Sequence, residues 1–204
     1  KKALAIIGLV EEDILKIKRR KSFLEYGLIL GTQLYLFLGS MKNIMTTKKE
    51  TLLIKPHHFL DIIKLFGSGL DKFIPNVEYG HDFWKVGNEI LENPNVRLEL
   101  TIDNDAICIP CKFNNGSTCS GITSANSKEI SKDEWNKIID QRLLKILGLD
   151  NGVKLSALEL CKLTKKKIGQ KDIFEVWKEK PNEITEKRAA FLILGIEKYL
   201  EKYA

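Results

Sequence analysis

The sequence has few of the residues that do metal and redox chemistry: three His, four Cys and two Met among 204 residues. Four cysteines in a chain this long are not a disulfide framework. Small secreted domains need disulfides because their cores are small, and a chain of this size can build a core without them. Long apolar runs are also missing. The stretch Tyr26 to Gly39 carries Gln33 and is shorter than the roughly 20 residues that span a bilayer. Charge of one sign is not concentrated either. The 33 Lys+Arg against 27 Asp+Glu leave a net +6, with the lysines scattered, which fits a solvated surface at least as well as a nucleic-acid footprint. There is no internal repeat, no phosphate-cradling glycine loop and no nucleophile elbow. Gly67-Ser68-Gly69 is too short to serve as either of the last two.

Hydrophobic residues at 44% and charged residues at 29% argue for a packed core and against global disorder. The length suggests one domain, or one domain with an appendage. Three readings compete for residues 1–45. A basic run, Lys16 to Lys21, precedes the apolar stretch, as in a signal peptide, but no clear small-residue cleavage site follows. A packed helix or a membrane anchor is the second reading. The third, which we favour, is an upstream extension, because both methionines, Met41 and Met45, lie just before the first motif. The expected organisation is a leader of doubtful function over 1–45, a metal- or cluster-binding domain over 46–170, and a helical extension packed on it over 171–204.

Thr46 to Glu50 reads as a polar connector and Leu52 to Lys55 as a short apolar lead-in to Pro56. Proline suits the first turn of a helix, where its missing N–H is not needed. So His57 to Phe66 reads as a helix stopped by Gly67-Ser68-Gly69. A second helix is expected from about Tyr79 to Leu91, ended by Asn93-Pro94-Asn95. Val96 to Ile102 alternates as a half-buried strand, and Asp103-Asn104-Asp105 turns the chain into a cysteine loop. Ser131 to Glu134 resembles a capping box opening a helix that runs to Leu147 and Gly148. Helices are also expected over Leu155 to Lys167 and Lys171 to Lys180. The last helix follows Pro181-Asn182, with the apolar stripe Ala189, Leu192, Ile196, Tyr199 and Tyr203. The fold class is α+β, predominantly helical, with a short β element leading into the cysteine-bearing loop.

The loop holds Cys108-Ile109-Pro110-Cys111 and, after Asn114-Asn115-Gly116-Ser117, Cys119. Thiolates are soft, charged donors for zinc and iron–sulfur clusters. Pro110 helps fix the first turn, and the Asn/Gly turn brings Cys119 back. Ordinary buried cysteines explain the loop poorly, because its surroundings are polar. A structural zinc usually closes with four Cys/His ligands. Here one pair and a single leave the fourth to His57, His58, Asp61 or Cys161, or else to an open iron. Cys161 sits three residues after Leu158 on a helix, where Cys packs as a small hydrophobe.

His57 and His58 share the first turn of their helix, with Asp61 four and three residues on, which is one helix face. Asp61 is expected to accept a ring N–H and fix the tautomer, as carboxylates do behind metal-bound histidines. The bland alternative is a helix-capping pair with one ring buried on Phe59 and Leu60. His81, in Tyr79-Gly80-His81-Asp82, reads as a solvent-facing first-turn residue.

With both motifs in hand, the chain resembles the prokaryotic family of domain of unknown function 1284. The resemblance rests on Lys55-Pro56-His57-His58-Phe59-Leu60, Phe66-Gly67-Ser68-Gly69, Asp105-Ala106-Ile107-Cys108-Ile109-Pro110-Cys111 and Cys119. Leu147-Gly148-Leu149 and Ser156-Ala157-Leu158 fit as well, so that it covers about residues 52–168. It implies a small cytoplasmic iron–sulfur-binding protein and establishes no activity. In the family pattern the residue after the His-His-x-Leu run is commonly Cys, where this chain has Asp61. The resemblance thus implies three thiols plus a carboxylate, a harder donor that leaves one corner of a cluster exchangeable.

Three functions are compatible with these residues. The first is an iron–sulfur protein with ligands Cys108, Cys111 and Cys119, completed by Asp61, His57 or His58, for electron transfer or chemistry at an open iron. The second is a structural zinc module that binds a protein or nucleic acid, with Lys162, Lys165, Lys166 and Lys167 as its basic face. The third is a metal-dependent hydrolase or transferase using His57 and His58. No redox or protein partner can be named, there is no clear nucleic-acid signal, and no membrane is expected.

Overall fold

A computed structural model describes residues 51–204, which lie in one compact unit, Lys49–Ala204. The readings made for residues 1–45 fall outside the described residues. The fold is α+β and mostly helical, with strands of only three or four residues. In chain order the elements are β1 (Leu52–Ile54), α1 (Pro56–Gly67), α2 (Phe83–Glu92), β2 (Arg97–Leu100), β3 (Ile122–Ala125), β4 (Lys128–Ser131), α3 (Lys132–Leu147), β5 (Lys154–Ser156), α4 (Ala157–Lys167), α5 (Gln170–Val176) and α6 (Asn182–Lys202).

β2 is the centre of a three-stranded sheet, parallel to β1 and antiparallel to β5. Its alternation does what the sequence pattern asks. Leu98 and Leu100 are fully buried, while Arg97 and Glu99 point out and pair with Glu159 and Lys154. β1 and β5, at three residues each, are too short to carry a period of two, and neither is expected from sequence. The β3–β4 hairpin is a second such surprise. Its turn puts Asn126 and Ser127 at φ 51° and 60°, the left-handed pair that a two-residue hairpin loop requires.

The helix boundaries follow the local chemistry. Pro56 opens α1. The Ser131 side chain accepts from the Glu134 N–H at the start of α3, and Gly148, at φ 69°, ends it. The reciprocal capping box lies at α4 instead, where Ser156 and Glu159 each satisfy the other's backbone N–H. α2 starts at Phe83 rather than Tyr79. The Asn76 side chain accepts the N–H groups of Glu78 and Tyr79, which makes a turn there, and Gly80 leaves it at φ 65°. α5 stops at Val176, short of the expected Lys180.

α6 lies across α1. Phe59, Ile62, Ile63 and Phe66 of α1 and Ala189, Leu192, Ile196 and Tyr199 of α6 are buried in one core. Tyr199 also donates from its hydroxyl to the Ile90 carbonyl at 2.8 Å, which ties α6 to α2. The crossing is a backbone contact. A Cβ on Gly67 would stand 2.0 Å from the Phe191 carbonyl oxygen, and one on Gly195 would stand 1.9 Å from that of Ile63. Gly67 is therefore a packing residue as well as a helix stop.

Gly195→Ala should destabilise the protein by about 3 kcal/mol or more, since backbone rather than a flexible side chain has to move. Gly148→Ala meets open space and should cost only the left-handed penalty of about 1–2 kcal/mol. Urea denaturation of the two variants checks the order, and equal costs would refute the close crossing.

Candidate metal centre

Two parallel neighbouring strands release the chain at the same end of their sheet. That is how two motifs some fifty residues apart in sequence meet. β1 runs straight into the His-bearing turn of α1, and β2 leads into the cysteine loop. The loop is pinned back on β1, where the Ala106 N–H donates to the Leu53 carbonyl at 3.0 Å and the Thr101 N–H to that of Ile54 at 3.0 Å.

Each histidine is held by a buried carboxylate. His57 Nδ1 lies 2.9 and 2.8 Å from the two oxygens of Asp140, whose Oδ1 also accepts the His57 backbone N–H at 2.8 Å. His58 Nδ1 lies 2.7 Å from Asp105 Oδ2, which also accepts the Lys55 backbone N–H at 2.9 Å, while Oδ1 accepts the Cys108 N–H at 2.9 Å. Both carboxylates are fully buried. A carboxylate only accepts, so both rings carry a proton on Nδ1 and present Nε2. Neither Nε2 has a hydrogen-bond partner among the described residues. The two rings lie side by side, with centroids 4.2 Å apart.

The orienting role expected of Asp61 thus falls to Asp140 and Asp105. Asp61 lies at the same cavity but accepts from Lys64 at 2.7 Å and from Arg188. Burial would raise its carboxyl, yet the Arg188 and Lys64 charges hold it well below the usual carboxylate range. Asp140 carries a signal that the sequence reading missed. It lies three and four residues before the buried Leu143 and Leu144, so that a charged residue interrupts the apolar stripe of α3. Asp105 gives no such local sign. Its partners Lys55 and His58 lie about fifty positions earlier in the chain.

The cysteine loop is a run of tight turns locked by side chains. The Cys111 N–H donates to the Cys108 carbonyl, and the Asn114 N–H to that of Cys111. The Asn104 amide ties Asn114 to the Gly116 carbonyl, and an isolated bridge pairs Asn114 with Cys119. Cys108, Cys111 and Cys119 are half-buried free thiols; Cys161 is free and buried in the core. Burial first, and the neighbouring Asp105 charge second, push the Cys108 thiol up to about 12. Lys55, itself buried, donates from Nζ to Cys108 Sγ at 3.8 Å. Burial also pushes Cys161 up to about 12, and that residue packs as a small hydrophobe.

The two motifs line one cavity of about 490 Å³. Its wall includes His57, His58 and Asp61, the thiol residues Cys108, Cys111 and Cys119, and also His81. All three histidines of the chain and three of its four cysteines therefore converge on one space, which a random scatter of seven residues would not do. His81 is half-buried rather than solvent-facing. It stacks on Tyr79 at 5.4 Å, and its Nδ1 is buried with no hydrogen-bond partner. Among the described residues, His58, Asp105 and Cys108 form the group of three whose donor atoms lie within 4.8 Å of one another.

The chain matches no protein-family model, no curated protein and no solved structure. Among the described residues no helix is long and apolar enough to cross a membrane.

Asp140→Leu removes both acceptors of the His57 Nδ1 proton and the acceptor of its backbone N–H. The His57 proton should move to Nε2, at a stability cost of about 2 kcal/mol for lost charge-assisted bonds. Ring ¹⁵N shifts read the tautomer, and an unchanged Nδ1–H would contradict the assignment.

Proposed function

We propose that this chain is a metal-binding protein whose cavity holds an iron–sulfur cluster on Cys108, Cys111 and Cys119, with His57 and His58 beside its open corner. The observation that carries the reading is the convergence of the scarce histidines and clustered cysteines on one cavity. The donor set fits, since thiolates are the usual ligands of such clusters. Three thiolates on a single zinc, at about 2.3 Å each, would stand about 3.8 Å apart. The three sulfurs do not form a group within 4.8 Å among the described residues, so the close trio that one zinc would need is not preformed. An iron–sulfur centre supplies electron transfer, or Lewis-acid activation at an iron with an exchangeable ligand.

Within this reading the chain's own residues have distinct tasks. Asp140 and Asp105 keep the lone pairs of His57 and His58 on Nε2, at the cavity, where each ring can ligate a metal or take a proton from a bound molecule. Asp61, held by Lys64 and Arg188, is the weakest of the candidate fourth ligands. The free cysteines fit a reducing compartment, the cytoplasm. Kinship to the family of domain of unknown function 1284 belongs to the same proposal and rests on the Lys55–Leu60 and Asp105–Cys111 motifs. A redox partner is implied and not identified.

A single zinc is the second reading, favoured by the close group of His58, Asp105 and Cys108. It would make the chain a structural zinc module, with exposed Lys162, Lys165, Lys166 and Lys167 at the end of α4 as the face offered to a partner.

Anaerobically purified protein should be coloured and contain iron and acid-labile sulfide. Cys108→Ser, Cys111→Ser and Cys119→Ser should each abolish both, and Cys161→Ser should retain them. A colourless protein with one zinc per chain and no sulfide would overturn the cluster and leave the zinc reading.

A further inference from the structure

Part of the cavity wall is cationic and aromatic. Lys132 opens α3, Lys180 follows α5 and Arg188 lies on α6; all three line the cavity together with Trp135, Trp177 and Tyr79. Each cation sits over a ring. Lys132 Nζ is 5.7 Å from the Tyr79 centroid, Lys180 Nζ is 5.1 Å from that of Trp135, and Arg188 Cζ is 4.5 Å from that of Trp177. Of the side chains on the wall only Asp61 is acidic, and Arg188 and Lys64 already engage it. Lys132 and Lys180 form no ion pair among the described residues.

Lys180 is the most telling of the three. An ammonium has three donors. Two of its donors go to Thr123 Oγ1 at 3.1 Å and to the Ser124 carbonyl, which fixes the side chain over the hairpin and leaves one N–H free. It is half-buried, and burial, with the Arg188 charge second, lowers its affinity for a proton. A charge withdrawn from water without a counter-charge is costly. A protein that keeps one there, pre-oriented and in a cavity shared with Lys132, which also forms no ion pair among the described residues, gains most when an anion enters.

We propose that this wall is the binding site for a small organic anion, a carboxylate or phosphate on a flat or apolar body. Lys180 and Lys132 take its charge, and the half-buried rings of Tyr79 and Phe113 on the same cavity take its body. The proposal deepens the metal reading and rests on it for what the anion would meet, because the thiols and the histidine Nε2 atoms share the cavity. It does not rest on that reading for binding. The aromatic rings decide against inorganic phosphate as the preferred ligand, since a bare oxyanion leaves them uncovered.

The test is calorimetric titration of the purified full-length chain with benzoate, phenyl phosphate, inorganic phosphate and the uncharged benzamide. Iron and sulfide are assayed on the same samples. Benzoate or phenyl phosphate should bind, with inorganic phosphate weaker and benzamide at least tenfold weaker. Lys180→Met and Lys132→Met should each reduce affinity about tenfold or more, the loss expected for one charge-assisted hydrogen bond. Lys180→Arg, which keeps the charge, should retain most of it. The better of the two organic anions tells a carboxylate site from a phosphate site. Cys111→Ser should still bind the anion, so a protein without cluster or metal can fail the first reading and pass this one. Equal binding of benzamide, affinity unchanged in both methionine variants, or no binding of either organic anion would overturn the proposal.

Discussion

The start of α1 is held by two carboxylates from elsewhere in the chain, and the arrangement of the site depends on them. A helix leaves its first N–H groups without partners. Here Pro56 has none to offer, Lys55 provides no side-chain cap, and the first turn contains no acidic residue. Asp105 and Asp140 accept the N–H groups of Lys55 and His57 instead, and the same carboxylates accept from the two imidazoles. Fully buried charges persist only where donors surround them. Asp105 has three such donors and Asp140 has two, all supplied by the His-bearing turn and the cysteine loop. Capping the helix and choosing the histidine tautomer are one network. Moving either carboxylate would disturb both.

That network demands a rigid frame, and the frame comes from outside the motifs. β1 and β2 set the end of the sheet at which both motifs emerge. α6 then fixes how far α1 can move, because the helices touch backbone to backbone at Gly67 and Gly195. The segment after residue 170 is thus more than a cover. Trp177, Lys180, Ile184, Thr185 and Arg188 form part of the cavity wall, and Arg188 reaches across to Asp61. The thiols and imidazoles on the wall all precede residue 120, and Lys180 and Arg188 lie beyond residue 170. The thiols and imidazoles of the cavity and two of its three other cations, Lys180 and Arg188, come from different stretches of sequence.

What could be read from the sequence was local. Pro56 at the start of α1, Ser131 and Gly148 at the ends of α3, the alternation of β2 and the stripe of α6 each depend on neighbours within a turn or on a short period. The convergence of the His pair and the Cys loop could be guessed from residue type alone. What could not be read was any pairing at long range. Asp61 was the natural partner for the histidines by helical spacing, yet its charge is drawn to Lys64 and Arg188, and residues from a distant loop and from α3 take its place. β1 and β5 are defined by their hydrogen bonds to β2 rather than by their own three residues. His81 sits in a turn set by Asn76, so helix spacing could not show that its ring faces the cavity wall.

Cys108 is held as a neutral thiol by its surroundings. Burial and the Asp105 charge both disfavour a bare thiolate there and push the thiol up to about 12. On the proposed metal reading, an ion would remove that penalty by replacing the proton, so that binding and deprotonation would be a single event. The Lys55 ammonium, 3.8 Å from the sulfur, donates a hydrogen bond to it. Lys55 is also the residue whose backbone N–H is held by Asp105. The carboxylate that disfavours the thiolate therefore anchors the lysine that favours it. One buried carboxylate thus sets both the proton affinity of the sulfur and the place of its hydrogen-bond donor.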